Sequence, residues 1–385
     1  MQRHGWSGFK RWAREFLELR VAIPLVSLCA TLVVRMRRPM IIGITGSVGK
    51  TTTKEVVAGV LMHPAAREVV GRAGKTSGNM NNNLGVPLSI LGYPCWIVTG
   101  RQWLVQLLLL PFRTLALATF APYPKVLVLE YGAGWQGSVR RTSRIAPPHI
   151  AVVTEVGPAH LERFGTVEGV AREKAALVRA TDADGLVVLN GSNPLVAAMA
   201  AESPAPVVQV EGRGLALAQN VARAVAHHLG VPEAAVEAAL AEGGQVHRRL
   251  DKVNLGDITV IDDAFNANPL SMRLALDVLA ESAAPHQRRV AILGTMAELG
   301  ADAPRYHREI GAYAHERADL VIGVGEHTEQ YGPEWQFADT RACAAGIGEL
   351  VRAGDLVLLK ASGAVQLFRV KRALQDAARR EPEVA

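Results

Sequence analysis

The first residues that could do chemistry lie in the segment GITGSVGKTTT, residues 43–53. An apolar run precedes this segment and a helical pattern follows it, which is the context that a phosphate-binding loop requires. Gly46 and Gly49 would let backbone N–H groups approach the phosphates, and the helix N-terminus adds a favourable dipole. Lys50 is expected to reach the β- and γ-phosphates, and Thr51 to bind Mg²⁺ through its hydroxyl. The predicted nucleotide-binding residues of this loop are Gly46, Ser47, Gly49, Lys50, Thr51 and Thr52.

The loop predicts a bound nucleotide but not a reaction. Its spacing is GxxGKT, shorter than the usual motif. Kinases, motors, switches and ligases all use such loops. The alternative interpretation is a glycine turn before an ordinary helix.

Two further polar features follow the loop. The segment TSGNMNNNLGVP, residues 76–87, is rich in asparagine, which suits an ordered loop that hydrogen-bonds a polar ligand. Its predicted substrate-binding residues are Thr76, Asn79, Asn81 and Asn82. Glu130 ends the run KVLVLE, and a carboxylate at the C-terminal end of a parallel strand lies where such sheets bind ligands and Mg²⁺. A structural role for Glu130 is the alternative.

The pattern of secondary-structure elements around these residues predicts an α/β fold with mainly parallel strands. Short apolar runs alternate with helical stretches, and continuous runs such as MIIGIT and KVLVLE are typical of buried parallel strands. The segment SAAPHQ interrupts the pattern. We therefore predict an N-terminal arm at 1–39, a nucleotide-binding domain at 40–285 with an apolar insert at 92–124, and a smaller Rossmann-like α/β domain at 286–385.

Composition and charge narrow the class of protein. The chain has 385 residues, of which 49% are hydrophobic. Its three cysteines are scattered, which argues against a zinc site or a disulfide framework and fits a reducing cytoplasm. Residues 1–38 hold eight basic and two acidic residues and so account for the entire net charge of +6. Because the remainder is balanced, no nucleic-acid partner is expected.

The arm and the insert are apolar, basic and poor in acids. The arm contains a 14-residue apolar run, Val21–Val34, that is shorter than the roughly 20 residues a spanning helix needs. Four aromatic residues precede the run, and the insert has only Arg101 and Arg113 as charges. These features predict peripheral contact with a membrane, at its inner face, by a cytoplasmic protein. The alternative is that the two segments pack on each other or on the body of the protein.

Taken in order, the motifs resemble those of the Mur ligases, the ATP-dependent amide-forming enzymes of peptidoglycan synthesis. The similarity runs from about residue 40 to about residue 375 and includes GITGSVGKTTTK, TSGNMNNNLGVPLSIL, LEYGAGWQGS, VGPAHLERFGTVEGVAREKAAL, RRLDKV, IDDAFNANPLSM, ILGTMAELG and LLKAS. The resemblance implies a Mur-ligase central domain and C-terminal domain. It implies an ADP-forming ligase that makes an acyl phosphate and adds D-alanyl-D-alanine, or another amino acid or dipeptide, to a precursor peptide.

The resemblance also assigns roles to residues. It places Glu130, His160 and Lys174 with Thr51 as Mg²⁺ ligands, with two ions expected, and it implies that CO₂ carbamylates Lys174. Without the resemblance, Lys174 would be read as a solvated residue on a helix. It implies that Lys50, Lys174, His160 and Arg249 are catalytic, with Arg249 approaching the γ-phosphate; Arg248 is the weaker candidate.

For the C-terminal part, the resemblance implies that Asn266 contacts adenine, with support from Asn268 and Asp263, although a turn role is equally open for these two. Lys360 and Ser362 match the face that closes on substrate. His307 also matches a family position, with a packed neutral histidine as the alternative.

The departures from the family concern the substrate. The family's N-terminal UDP-binding domain is not matched, and we predict that the arm takes its place. Gly134, Trp135, Thr295 and Gly363 replace residues usual in the family. A lipid-linked acceptor would reconcile these departures. The alternatives are a ligase for another envelope or secondary-metabolite peptide, and an ATP-binding subunit of an amidotransferase-type complex. A GTPase is disfavoured because no NKxD motif occurs.

Overall fold

The computed structural model describes residues 22–78, 80–94, 102–242 and 252–378. Internal contacts divide the chain into two compact units. The first unit comprises Met1–Val156 and Ala171–Val246, and the second comprises Gly157–Val170 and His247–Ala385. Residues 1–21 of the predicted arm and 95–101 of the predicted insert lie outside the described residues.

The first unit is built on a six-stranded parallel sheet. Its strands are β1 (Met40–Thr45), β2 (Ala73–Lys75), β3 (Val126–Glu130), β4 (Ile150–Val153), β5 (Leu186–Asn190) and β6 (Val207–Val210). Their spatial order is β2-β3-β1-β4-β5-β6. Because β1 lies between β3 and β4, the carboxyl ends of these three strands meet at one edge, where parallel sheets bind ligands.

Helices cover this sheet and connect its strands. In chain order they are α1 (Ile23–Arg37), α2 (Lys50–Met62), α3 (Pro64–Val70), α4 (Gly85–Ile90), α5 (Gln102–Thr119), α6 (Ser138–Ile145), α7 (Leu161–Phe164), α8 (Val167–Arg179), α9 (Pro194–Ala197), α10 (Gly214–His228) and α11 (Glu233–Glu242). Helix α7 and the first turn of α8 group with the second unit, and the rest of α8 groups with the first.

The position of α2 matters most for the site. Val57 and Leu61 of α2 are buried in one cluster with Ile42 and Ile44 of β1 and with the apolar side of α10. Burying one such side chain contributes about 1.5–3 kcal/mol. This core therefore fixes the start of α2 directly after the end of β1, and the six residues predicted to bind phosphate lie at that junction.

The second unit contains its own sheet. The strands are β7 (Lys252–Leu255), β8 (Ile258–Asp263), β9 (Arg289–Gly294), β10 (Leu320–Val324), β11 (Trp335–Phe337) and β12 (Leu356–Lys360), in the order β11-β10-β9-β12-β8-β7. All pairs are parallel except β7 with β8. Helices α12 (Pro269–Ser282), α13 (Ala303–His315), α14 (Thr340–Gly346) and α15 (Phe368–Ala378) complete it. The predicted α/β class with mainly parallel sheets is confirmed.

The predicted boundary near residues 284–287 is wrong. Strand β8 pairs in parallel register with β12, from Thr259 beside Leu356 to Asp263 beside Lys360, and so belongs to the second sheet. The second unit resumes at His247. The segment SAAPHQ is only the connection from α12 to β9 within that unit. Composition marked a loop, whereas the boundary depends on a strand pairing about 100 residues apart.

Candidate active site

The predicted phosphate loop adopts the backbone that its glycines allow. Gly49 has φ of 86° and precedes the first residue of α2, and Gly46 also has positive φ. Lys50 lies at the start of α2, and its Nζ donates to the carbonyl of Gly46 at 2.6 Å, so its side chain folds back over the loop. Ser47, Thr51 and Thr52 are half-buried beside it. The loop thus presents a lysine and a helix N-terminus at the same edge, as an anion site requires.

The end of β4 anchors the loop from below. The Thr154 hydroxyl lies 2.6 Å from the Val48 carbonyl and 3.2 Å from the Thr45 carbonyl, and the Ser47 N–H donates to the Glu155 carbonyl at 2.6 Å. Asn190, at the end of β5, donates to the Thr154 carbonyl. Sequence reasoning missed Thr154, although its place at the end of the apolar run HIAVVT was a usable signal.

We expect Gly46→Ala to impair nucleotide binding. A Cβ at this position would overlap the Thr154 Oγ1 and come within 3.1 Å of the Glu155 N. Strain and overpacking of this kind cost about 1–3 kcal/mol each, so ATP affinity should fall about tenfold or more. Isothermal titration with an ATP analogue measures the loss. Gly59→Ala, in the exposed part of α2 where a Cβ meets nothing within 4 Å, is the matched control; equal affinities for both variants would contradict the loop geometry.

Glu130 is fully buried at the end of β3 and holds several loop residues together. Its Oε2 accepts from the Thr51 hydroxyl and from the Asn81 amide, each at 3.3 Å. Its Oε1 lies 3.1 Å from the Lys54 Nζ, yet it accepts no well-aligned hydrogen bond among the described residues. A buried carboxylate oxygen that accepts no well-aligned hydrogen bond favours the binding of a further cation.

Lys54 is the main residue that sequence reasoning missed. It lies one turn after Lys50 on α2 and is fully buried. Besides Glu130, its ammonium contacts Glu55 Oε1 at 3.0 Å and donates to the Gly78 carbonyl at 2.9 Å. The predicted site residues Thr51, Asn81 and Glu130 are therefore brought together around an ion pair. The signal was present in GKTTTKE, where a lysine four residues after Lys50 points to the same helix face.

Lys174 is also buried, contrary to what its place on a charged helix indicates. It is 2% exposed, on α8. Burial, followed by the positive charge of Lys50, lowers the pKa of the Lys174 amine well below its usual range, and Glu173 opposes this more weakly. Glu173 is itself engaged, because it accepts from the backbone N–H groups of Gly137 and Val139 at the start of α6. The Lys174 amine is thus biased toward its neutral, nucleophilic form.

The pKa shift of Lys174 predicts a pH-dependent cost in stability. The amine is protonated in the unfolded chain below about 10.5, whereas the folded protein binds that proton only below a lower pKa. Stability therefore rises with pH across this window. Lys174→Met should be the more stable protein at neutral pH, and its advantage should shrink by about 1.4 kcal/mol per pH unit toward pH 10.5.

Urea unfolding of both proteins in CO₂-free buffer at several pH values tests this expectation. A difference that does not change with pH would mean that folding leaves the protonation of Lys174 unaltered.

The residues of the first unit fit a Mg²⁺ site in their donor types. Thr51 and Glu130 offer oxygen donors at one strand end, and Glu130 Oε1 is one of the buried side-chain atoms that lack a hydrogen bond within the described part of the chain. Within the described ranges, no group of three or more His, Cys, Asp or Glu side chains could hold a metal ion. A Mg²⁺ site here would therefore rely on few protein ligands together with phosphate and water, as Mg²⁺ sites commonly do.

The asparagine segment is partly used by the fold. Thr76 is buried, and its hydroxyl accepts from the Glu130 N–H at 3.2 Å. The Asn82 Oδ1 accepts from the N–H groups of Leu84 and Gly85, where α4 begins. Asn81 contacts Glu130, as described above, whereas Asn79 lies outside the described residues. The roles of these residues toward a substrate stay predictions.

His160 belongs to the second unit. Its backbone has φ of 55°, and its Nδ1 hydrogen-bonds the Glu298 carboxylate. Arg163 donates to the other oxygen of Glu298 at 2.9 Å. A carboxylate that hydrogen-bonds one ring nitrogen fixes the tautomer and the orientation of the imidazole, as the outer carboxylate does for metal-binding histidines. Glu298 was not found from the sequence.

The predicted adenine-contacting segment forms the turn before α12. Asn268 caps this helix, because its Oδ1 accepts from the Ser271 N–H at 2.9 Å and its own N–H donates to the Ser271 hydroxyl at 3.0 Å. The Asn266 Oδ1 accepts from the Ala267 N–H. For Asn268 the turn interpretation therefore has direct support.

Lys360 and Ser362 lie at the end of β12. Lys360 is buried, pairs with Asp263 at 2.6 Å and donates to the Asn266 carbonyl at 2.6 Å. Ser362 accepts from the Ala297 N–H at 2.8 Å.

His307 is buried between the Met296 N–H and the Ala303 carbonyl, and burial lowers its pKa, as expected for a packed neutral histidine. Arg248 and Arg249 lie outside the described residues.

Fold and site together define a nucleotide-binding α/β protein whose phosphate loop lies beside a buried acidic strand end. Comparison with known families extends this. The Mur ligase middle domain matches residues 44–94 and 114–234, and the Mur ligase glutamate ligase domain matches residues 248–363. The chain belongs to the Mur ligase family, which confirms the resemblance of its motifs.

Individual relatives agree with this assignment. The chain is 35% identical to the UDP-N-acetylmuramoyl-tripeptide–D-alanyl-D-alanine ligase of Mycobacterium tuberculosis over 404 residues, covering 87% of this chain and 72% of the relative. Among solved structures, MurF from Acinetobacter baumannii has a TM-score of 0.74 at 23% identity, covering 91% of this chain and 80% of its own. MurF ligase from Thermotoga maritima in complex with ADP has a TM-score of 0.73 at 22% identity, covering 94% and 85%. These two structures share the fold.

Proposed function

We propose that this chain is an ATP-dependent ligase that joins a carboxylate to an amine with release of ADP and phosphate. Its acceptor is a peptidoglycan-precursor peptide, and D-alanyl-D-alanine is the incoming amine. The relatives support the substrate class, since the Mycobacterium tuberculosis protein is named for this reaction. The observation that carries the proposal is the buried Glu130, held by Thr51 and paired with Lys54 next to Lys50 of the phosphate loop.

The chemistry that these residues can support is phosphoryl transfer. The acceptor carboxylate attacks the γ-phosphorus of ATP, ADP leaves, and an acyl phosphate forms. The amine then attacks the acyl carbon, loses a proton and displaces inorganic phosphate. Such transfer depends on positioning and on stabilising negative charge. Lys50 and the N–H groups at the start of α2 supply that stabilisation at the loop.

Thr51, Glu130 and His160 are the proposed Mg²⁺ ligands, together with a carbamate on Lys174, and two ions are proposed. Bound Mg²⁺ would neutralise phosphate charge during transfer. The lowered pKa of Lys174 supports the carbamate, because only a neutral amine attacks CO₂, and the product carries a negative charge that an unmodified lysine cannot offer. Among the described residues, no ion pair with a carboxylate is found for the Lys174 amine, and a carbamate at this buried position would carry the negative charge itself.

The remaining predicted residues complete the proposal. In the second unit, Asn266 and Asn268 are proposed for adenine and Lys360 and Ser362 for the substrate, with Arg249 proposed for the γ-phosphate. In the first unit, Thr76, Asn79, Asn81 and Asn82 are proposed for the acceptor.

We also propose that the ligase makes peripheral contact with the inner face of a membrane and meets a lipid-linked acceptor there. Among the described helices, none is both long and apolar enough to cross a bilayer. The sequence features that support contact are the basic, aromatic arm and the acid-poor insert.

The test is a matrix of acceptors and amines scored for phosphate release, with products identified by mass. UDP-N-acetylmuramoyl-tripeptide and its lipid-linked form are paired with D-alanyl-D-alanine, L-alanyl-L-alanine or no amine. We expect phosphate release that requires both substrates and a product heavier by the dipeptide less one water.

Three results would count against the proposal. Ligation with a different peptide class would support another envelope or secondary-metabolite ligase. ATP binding without any turnover would support a binding subunit of a larger complex. Equal turnover on soluble and lipid-linked acceptors would remove the lipid-linked part alone.

A further inference from the structure

Helices α1 and α5 of the first unit pack against each other and leave a broad apolar surface toward solvent. We call this surface the α1–α5 face. Its members are exposed large apolar side chains: Leu28, Leu32 and Met36 of α1, Val105, Leu108, Leu109, Phe112 and Leu115 of α5, and Phe120 just after α5. Leu108, Phe112 and Phe120 are 77%, 72% and 78% exposed. Apolar patches of this extent on a single chain mark an interaction site.

The helical geometry shows that this exposure is built in. On α5, the buried positions Leu110, Thr114 and Ala118 recur every four residues and form a narrow strip. The exposed apolar residues follow spacings of three and four along the rest of the helix. The spacing gives one continuous arc facing away from the unit.

Both helices are held firmly in place. The Arg113 guanidinium donates to the carbonyls of Leu91 at 2.7 Å and Gly92 at 2.9 Å, which ties the middle of α5 to the end of α4. Arg37, at the end of α1, donates to the Thr119 carbonyl at 3.2 Å and to the Ala121 carbonyl. The α1–α5 face is therefore a preformed surface on anchored helices.

The charged residues next to the α1 side of this face are basic. The sequence has no Asp or Glu between Glu18 and Glu55, or between Glu68 and Glu130, so α1 and α5 contain none. Exposed basic residues lie at the end of α1 and along α6, which contacts α1. They are Arg35, Arg38, Arg140, Arg141 and Arg144. An apolar surface with a basic rim matches the acyl and headgroup layers of an anionic membrane.

We propose that the α1–α5 face docks on a bilayer containing anionic phospholipids, with its apolar side chains in the interfacial layer and its arginines on the headgroups. Charge decides against the other occupants. A second copy would bring an equally basic rim against this one, and residues 1–21, with five basic and two acidic residues, would also add positive charge to it. The inference rests on the proposed peripheral membrane contact and assigns that contact to one face.

The experiment places an environment-sensitive NBD fluorophore on the face of the full chain. In a Cys95→Ser background, where the other two cysteines are buried, Leu108→Cys carries the label. Phe368→Cys, at an exposed phenylalanine of the second unit, carries it in the control. Vesicles of phosphatidylglycerol with phosphatidylcholine are compared with vesicles of phosphatidylcholine alone.

We expect the label at 108 to brighten and shift to the blue only with the anionic vesicles, and less at high salt. The label at 368 should not respond. In the unlabelled protein, Phe112→Ser should lower partitioning to anionic vesicles about tenfold or more, because it removes a phenyl ring that would be buried in the bilayer interface. Phe368→Ser should leave partitioning unchanged.

Other outcomes would overturn the proposal in distinguishable ways. An apolar signal at 108 without vesicles would mean that the chain covers its own face, and the same signal growing with protein concentration would mean a second copy. Vesicle binding with a silent label would place the contact elsewhere. With soluble substrates, Phe112→Ser should release phosphate at the rate of the parent protein. A loss of phosphate release in Phe112→Ser would mean that this variant is misfolded. A failure of ligation in the parent protein would contradict the proposed function and not the membrane contact.

Discussion

Replacing Lys174 by alanine is expected to lower ligation about a thousandfold, the loss typical when one preorganised charge stabiliser is removed from an active site. The reason is that Lys174 is buried, and that burial and the positive charge of Lys50 lower the pKa of its amine, which favours the neutral form that reacts with CO₂. ATP affinity should change little, because Lys50 and Thr51 of the loop remain. Phosphate release and titration with an ATP analogue separate the two effects.

A second readout tests the chemistry of the Lys174 amine independently of turnover. With ¹³C-labelled bicarbonate, the parent protein should show one carbamate carbon by NMR that disappears in Lys174→Ala. Lys125→Ala, which removes a lysine outside the site, should retain the signal. Unchanged ligation, or a persistent carbamate signal in Lys174→Ala, would remove Lys174 from the mechanism.

The largest expected effect on stability follows from Lys54→Met. The change leaves the fully buried Glu130 without its cationic partner, and breaking a buried ion pair from one side costs about 3–5 kcal/mol. Glu130→Gln should cost less, since Lys54 keeps Glu55 and the Gly78 carbonyl. Both variants should fail to release phosphate, because each disturbs the carboxylate that Thr51 contacts.

The double variant Lys54→Met with Glu130→Gln supplies the decisive comparison. Because no uncompensated charge is left in the interior, it should be more stable than Lys54→Met alone. Lys75→Met is the matched control: Lys75 pairs with the same Glu55 but is exposed, so its loss should cost at most about 1 kcal/mol. Urea unfolding of the parent protein, the two single variants and the double variant gives the coupling energy between Lys54 and Glu130. Additive costs would mean that Lys54 and Glu130 do not act as a pair.

Much of the fold could be predicted from local sequence patterns. Continuous apolar runs indicated buried parallel strands, because a strand covered by helices on both faces needs apolar side chains on both. The loop was readable because GSVGKTT places a turn, a lysine and a helix start within a few residues. The order of the motifs was enough to identify the family. In each case the residues that interact are close in sequence, or follow a period that the backbone imposes.

Contacts between residues far apart in the sequence could not be predicted from local patterns. The pairing of Lys54 with Glu130, the anchoring of the loop by Thr154 and the parallel register of β8 with β12 each join residues about 75 to 110 positions apart. Which surfaces meet over such separations depends on the packing of the entire sheet. The same limit explains the misplaced boundary, since a polar loop looks alike within a domain and between domains.

The environment of single side chains was likewise a property of the folded chain. Lys174 occurs in a helix rich in charged residues, a pattern that indicates exposure, yet α8 turns this lysine inward. Helix α5 has an apolar sequence that indicates burial, yet five of its large apolar side chains between Val105 and Leu115 face solvent. Periodicity states how polarity repeats around a helix, whereas burial depends on what packs against it. In this protein these two exceptions are the lysine proposed for catalysis and the face proposed for membrane contact.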